Sequence, residues 1–320
     1  MSWWTLVQWL LLAPALWCTL AQWFGYDGDR VTATLLALYP LLMLPGLAGG
    51  VLAILHDNRP AYFAALAMAC TFGMISNSGA SRRSAAEPDG DTIGLVVANV
   101  LAPNPRAGSA ADAVVEAMTE ANAQVLVLVE PTAMFVAELE LRGGGLQHRI
   151  ELLADDPSGI SLRTTDPLRG DLLKVEGQAW VDASARIAGQ PLRLIAAHPY
   201  PPTMGATAWR RQLAWLAAHV GHGESSVVVA GDFNACRWHP SFRRLQRVTG
   251  LRSAHEIVGR GWSCSWPTHR LRRFVRLDHA LVRGVQVAAV RDFRIPGSDH
   301  RGFVVTLAAP PAPTKPVPTR

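Results

Sequence analysis

Six places along the chain carry residue types that can act together on a phosphate ester, and each stands at the end of, within or just before an apolar run. The tetrapeptide GDFN at 231–234 directly follows the run 226–230. An acid and an amide two residues apart at a strand end face the same side, so Asp232 and Asn234 can jointly hold a water or a phosphate oxygen. Read alone, Asp and Asn beside Gly make an ordinary turn. Asn99 and Glu130 terminate the runs 95–98 and 126–129. Such hard oxygen donors suit magnesium or manganese, although each by itself is simply a polar strand cap. His198 ends the run 192–197, and the rigid Pro199, Tyr200, Pro201 and Pro202 behind it fix its direction. Asp278 and His279 lie inside an apolar strand, 276–282, where an acid is costly unless paired. Ser298, Asp299 and His300 stand just before the last strand. A buried carboxylate bonded to an imidazole is a common way to orient a reactive His, and Asp278 with His300 is the natural pair.

Convergence of these side chains requires elements that bring distant strand ends together. The runs 93–98, 125–129, 192–197 and 227–230 have the continuous apolar character of strands buried on both faces. The segments 110–121 and 207–220 have helical period, the second with Leu213, Leu216, Ala217 and Val220 on one side. Segments 277–282, 285–290 and 303–307 predict further strands. The pattern is that of an α/β domain with its polar residues where buried strands end.

The order of these motifs resembles the endonuclease/exonuclease/phosphatase superfamily, which includes deoxyribonuclease, apurinic endonucleases, sphingomyelinases and inositol polyphosphate phosphatases. The resemblance runs over about residues 91 to 308. It implies an α/β four-layer sandwich, two packed mixed sheets flanked by helices. It also implies Glu130 as the main ligand of Mg2+ or Mn2+, helped by Asn99 and Asp299. Asp232 and Asn234 would then position or deprotonate the attacking water. His300, oriented by Asp278, would contact the scissile phosphate, and His198 would stabilise the transition state or assist the leaving group. Two places depart from the family pattern. Pro131 follows Glu130 where relatives often carry Gln before the Glu or Val after it, and SLRTT at 161–165 only loosely matches a Ser-Arg strand end, leaving Arg163 without a role.

At 320 residues the chain has room for more than this domain. The apolar fraction of 49% is concentrated in the first 76 residues, which are almost free of charge. Trp3–Phe24, 31–55 and 61–75 are apolar runs that predict about three transmembrane helices, since about 20 such residues span a bilayer core. The expected division is a membrane region at 1–76, a linker at 77–90, the catalytic domain at 91–309 and a Pro-rich tail at 310–320. The protein is thus expected in the cell membrane, multi-pass, in contact with membrane lipids. Arg82 and Arg83 lean towards a cytoplasmic catalytic domain by only two charges, which leaves the side open. The net charge of +5 comes from Arg, because Lys occurs only at Lys174 and Lys315. Cys236 and Cys264 lack metal-ligand spacing. These features predict a membrane-anchored, metal-dependent phosphoesterase whose substrate is a lipid-linked phosphate or a nucleic acid. A nuclease acting on DNA needs a basic track, offered by HRLRRFVR at 269–276 with Arg243, Arg244 and Arg247. A silent binding module on the same fold is the third reading, disfavoured by the retention of Glu130, Asp232, Asn234 and His300. No protein partner is inferred.

Overall fold

Strands that are apolar on both faces need cover on both faces, and the computed structural model shows how the chain supplies it. The structure describes residues 2–77, 92–223, 225–268 and 274–308. The expected linker, all but its first residue, the expected tail and the core of the basic track at 269–273 lie outside these. Four helices come first: α1 (Trp3–Phe24), α2 (Arg30–Ala37), α3 (Tyr39–Leu55) and α4 (Arg59–Asn77). Then follow β1 (Thr92–Asn99), α5 (Ala107–Glu120), β2 (Ala123–Val129), α6 (Ala133–Leu141), β3 (His148–Leu152), β4 (Ile160–Thr164), β5 (Arg169–Val175) and β6 (Gln178–Ile187). The remainder is β7 (Gln190–Ala197), α7 (Pro202–Val220), β8 (Val227–Asp232), α8 (Pro240–Thr249), β9 (Arg252–Ser253), α9 (Ala254–Ile257), β10 (Asp278–Arg283), β11 (Gln286–Arg294) and β12 (Arg301–Ala308).

The strands form two six-stranded sheets, ordered β11-β12-β1-β2-β4-β3 and β5-β6-β7-β8-β10-β9. Both are mixed: β1 runs parallel to β2 and β7 parallel to β8, while the other pairs are antiparallel. Period-two alternation sends Leu95, Val97, Val125 and Val127 of one sheet, and Val181, Leu194, Val228 and Ala280 of the other, into a shared core. Full burial of each such side chain contributes roughly 1.5–3 kcal/mol. The opposite faces, Val96, Ala98, Leu126 and Leu128 on one side and Ile195, Val227 and Val229 on the other, are covered by α5 and α6 and by α7 and α8. This is the four-layer sandwich the sequence implied. The parallel pairs at the centre of each sheet bring the ends of β1, β2, β7 and β8 to one edge.

The N-terminal helices differ from expectation. Among the described residues only α1 is long and apolar enough to cross a membrane, or two spans exist if α2 and α3, bent by 79°, count as one broken span. The three expected spans are therefore not reproduced. Residues 31–55 break at Leu38 because Pro40, at the start of α3, cannot donate to the ladder of the preceding turn. Helix α4 opens on Arg59 and Pro60, closes on Ser76 and Asn77, and is rich in Ala, so its hydropathy stays lower. Small residues let the helices approach closely: a Cβ at Gly46 would lie 2.6 Å from Met68 Cε, and one at Gly50 2.7 Å from Ala65 Cβ.

These helices are packed against the sandwich. Their buried cluster, including Leu12, Tyr39 and Met68, continues into Cys236, Trp238 and Val275 of the α/β part. Phe72 stacks on Trp238 at 4.9 Å between centroids. Buried Asp27 accepts from the backbone N of Ser241 at 2.8 Å and its hydroxyl at 2.6 Å, and faces Arg210 at 3.3 Å. Gln22 Nε2 donates to the Trp238 carbonyl at 2.6 Å.

Candidate active site

The eight residues singled out by their positions at strand ends gather at the sheet edge, six of them buried and Asn234 and Asp299 partly so. Asn99 closes β1, Glu130 follows β2, His198 follows β7, Asp232 closes β8, Asp278 opens β10, and His300 precedes β12. Asn99 Nδ2 donates to Glu130 Oε1 and to Asp232 Oδ2, each at 3.1 Å, so one amide ties the two sheets together. Its Oδ1 accepts from the Leu101 backbone N at 3.1 Å, which fixes the orientation of the amide. The second oxygen of Glu130 accepts from Ala102 N at 3.1 Å.

His198 Nε2 lies 3.8 Å from Glu130 Oε1 and 3.9 Å from Asp232 Oδ2. His300 Nδ1 bonds Asp278 Oδ2 at 2.8 Å, leaving Nε2 3.6 Å from Asp232 Oδ2 and 3.9 Å from Asp299 Oδ1. Asn234 donates its backbone N to Asp232 Oδ1 at 2.8 Å and its side-chain Nδ2 to the Pro199 carbonyl at 3.0 Å.

Local sequence explains these placements. A Cβ on Gly231 would stand 2.1 Å from the Ala197 carbonyl, so only Gly lets β8 come this close to the end of β7, and GDFN is more than a turn. Pro131 is accommodated because Gly159 offers no Cβ, which would otherwise fall 2.8 Å from the Pro131 carbonyl. Glu130 and Asn234 both adopt positive φ, 59° and 48°, which turns the chain at the strand end and swings their side chains into the cluster.

Electrostatics follow from burial. Desolvation, aided by the Asp278 charge, pushes the Asp232 carboxyl above the ordinary range despite the pull of His300 and His198. Burial also works to raise Asp278, but the charge and bond of His300, the Ser265 hydroxyl and Arg276 hold it below. Burial alone would lower His300. The carboxylates of Asp278 and Asp232 outweigh it and push the imidazole up to about 10. With Glu130 and Asp299 added, four carboxylates converge here. Carboxylate oxygens gathered in this way are a donor set that a divalent cation fits.

Residues outside the original set support it. Ser298 donates from its hydroxyl to the Asn99 carbonyl at 2.8 Å and accepts from His300 N at 3.0 Å. Ser265 Oγ accepts from Leu277 N and Asp278 N at 3.0 and 3.2 Å. Trp266 donates from Nε1 to Asp299 Oδ2 at 2.8 Å while its ring packs against the cluster of the N-terminal helices. Ser265 and Trp266 left no trace in local sequence because they act from a loop. Arg163 is buried and engaged by Glu151 at 2.8 Å, Glu140 at 3.2 Å and Ser161, so it braces the β3–β4 edge. Arg276, counted in the basic track, is engaged by Asp292 at 2.6 Å and by Ser263.

The model of the Endonuclease/Exonuclease/phosphatase family matches residues 96–300. The chain belongs to that family. Its fold is similar to TDP2 of D. rerio in complex with a single-strand DNA product, with a TM-score of 0.59 and 16% identity over 69% of this chain and 100% of that one. It is also similar to an endonuclease/exonuclease/phosphatase from Beutenbergia cavernae (TM-score 0.54, 17% identity, 70% and 73% of the two chains). A third is sphingomyelinase C from Streptomyces griseocarneus (TM-score 0.51, 13% identity, 68% and 99%). In sequence it is 28% identical over 163 residues to a UPF0294 protein of Erwinia tasmaniensis, which covers 48% of this chain and 58% of that protein. The match thus spans little more than half of that relative's length.

Proposed function

We propose that this chain is a membrane-seated phosphoesterase that uses Mg2+ or Mn2+ and hydrolyses a phosphate ester by in-line attack of water. The observation that carries the reading is the Asn99 amide joining Glu130 to Asp232, with His198 within 3.9 Å of both carboxylates, His300 3.6 Å from that of Asp232 and Asp278 bonded to His300. Glu130 and Asp299 are the residues that would hold the metal, both presenting carboxylate oxygen of the kind these ions take. Asp232, Asp278 and His300 also bring ligand atoms within 4.8 Å of one another. That trio is less suited, because Asp278 Oδ2 and His300 Nδ1 are already bonded to each other and imidazole is a softer donor than these ions prefer. Asn99 presents its nitrogen to the two carboxylates, so its role shifts from ligand to the group that aligns Glu130 with Asp232. When bound, the cation polarises a phosphoryl oxygen and offsets charge during the displacement.

The chain's own groups supply the rest. Asp232, held by the Asn234 backbone, is placed to orient the water and accept its proton. The charged imidazole of His300 donates from Nε2 to the phosphate, with Asp278 holding its tautomer and direction. His198 stabilises developing charge on the leaving side.

Seating in a membrane is supported by α1 and by its large exposed apolar side chains, with Trp23 61% and Phe24 81% exposed. The catalytic rim adjoins this region: Cys236 and Trp238 follow Asn234 closely and pack into the helices, as does Trp266 beside Asp299. A site so placed favours a lipid-linked phosphate over DNA. The test is the full-length protein in nanodiscs with Mg2+ or Mn2+, offered phospholipid, inositol phosphate and plasmid DNA. Chelator-sensitive cleavage of phospholipid is expected. Preferential DNA cleavage would replace the lipid reading with the nuclease one, and no cleavage of any substrate would favour the silent module.

A further inference from the structure

Beside the catalytic rim, a cavity of about 450 Å³ opens between the end of α4 and helix α8, lined by Arg237, Arg243, Arg247, Arg252, Glu256 and the apolar pair Met74 and Ile75, among others. Four guanidiniums thus face one carboxylate. Arg237 donates to the carbonyls of Ile75 and Ser76 at 3.2 and 3.1 Å, which caps the last turn of α4, and stands 3.5 Å from Glu256. Arg243 is half-buried and, among the described residues, donates only to neutral oxygens, those of the Arg237 carbonyl and the Gln22 side chain. Burial and the nearby charges of Arg247 and Arg237 push its guanidinium below the usual range, despite the opposing Cys236 and Asp27. Capping a helix end needs one cation. The arginines beyond Arg237 do not reach those carbonyls and repel one another.

Arg247 and Arg252 are exposed, and their side chains make no hydrogen bond or ion pair among the described residues. Their donors stand open towards the cavity at the point where α4, a helix of the apolar bundle, ends. Met74, 76% exposed, continues the apolar surface up to that same rim. A wall of apolar side chains below and convergent guanidiniums above matches a ligand whose anionic phosphate sits over hydrocarbon.

We propose that this cavity is a second, non-catalytic site that binds a phosphate group, supplied by the headgroup of an anionic phospholipid beside the helices or by a free phosphate. Arg247 and Arg252 engage the phosphate oxygens, and Arg237 and Arg243 form the positive floor. The lipid source rests on the membrane seating proposed above, whereas recognition of phosphate does not. Neither reads hydrolysis, so failure here is distinguishable from failure of the catalytic reading.

The experiment uses full-length protein and the double variant Arg247→Gln with Arg252→Gln, whose exposed, unbonded side chains leave the fold undisturbed. Arg244→Gln, an exposed arginine of the same helix outside the cavity, is the control. Retained phosphatidylglycerol is quantified after transfer from mixed phosphatidylglycerol and phosphatidylcholine nanodiscs into detergent, and thermal protection by inorganic phosphate is measured in lipid-free detergent. Preferential retention of phosphatidylglycerol, cut by about tenfold or more in the double variant and unchanged in the control, supports the site with lipid as the source. Protection by inorganic phosphate that the double variant loses, without lipid preference, supports it with free phosphate as the source. If neither probe distinguishes the double variant from the parent, or if the control loses as much, the site is overturned.

Discussion

His300 turns one ring nitrogen to Asp278 at 2.8 Å and the other towards Asp232, 3.6 Å away, so a single imidazole links the two sheet-edge carboxylates. Replacing it removes the group placed to donate to the phosphate but none of the oxygens placed to hold metal. His300→Ala is expected to cut turnover by about 100 to 10,000-fold with the metal concentration for half-activity unchanged. Asp278→Asn should fall in the same direction, since the neutral amide no longer stabilises the imidazolium. Titrating Mn2+ against rate for both variants checks this; a His300→Ala enzyme at full rate would refute the assignment.

Glu130 should show the opposite signature. In Glu130→Gln one carbonyl oxygen remains while the charge is lost, so the metal requirement rises and excess metal partly restores the rate. An unchanged metal curve at full activity would remove Glu130 from the metal site.

Trp266 couples the site to the N-terminal helices. Trp266→Phe keeps the ring among them but deletes the indole donor to Asp299. We expect weaker metal binding through Asp299, seen as a severalfold rise in the metal needed, with little loss of thermal stability because the apolar area is nearly conserved. Deleting residues 1–77 exposes Trp238 and Val275, so the remaining fragment should aggregate or lose activity unless detergent covers that face. A truncated fragment that is monodisperse and fully active in plain buffer would show that the helices do not support the site.

Stability should fall with acid. Burial, followed by the Arg276 charge, pushes His279 down to about 3, and burial pushes His255 down to about 4. Both stay neutral in the folded chain. Below pH ~6.5 the unfolded chain takes up protons that the folded one refuses, so stability is lost as pH falls from there towards those values, by up to about 1.4 kcal/mol per pH unit for each group. In His279→Gln, thermal unfolding followed from neutral pH downwards should decline less steeply than in the parent. An equal slope would mean that His279 titrates normally.

Strands buried on both faces announced themselves: β1, β2, β7 and β8 are continuous apolar runs, and they carry most of the site. Strand β6 was hidden because it alternates, with Ala179, Val181 and Ala183 facing the core and Ser184 and Arg186 facing out. β5 is largely exposed, so it leaves no apolar run at all. Asp278 and His300 could be paired from chemistry alone, since an acid in an apolar strand demands a partner. Trp266 could not, because its role depends on a loop whose path is set by the helical region. The spans were overcounted because Pro40 redirects the chain and α4 dilutes its apolar residues with Ala and polar ends.

Glu130 and Asn234 hold left-handed backbone conformations without being Gly, at a cost of roughly 1–2 kcal/mol for a residue such as Glu and less for Asn. Gly would relieve that cost and delete the side chain. Selection for stability and selection for catalysis therefore pull in opposite directions at these two positions. A library sorted for heat resistance alone should drift towards Gly there and lose activity as it does, marking the site from the thermodynamic side without any substrate being known.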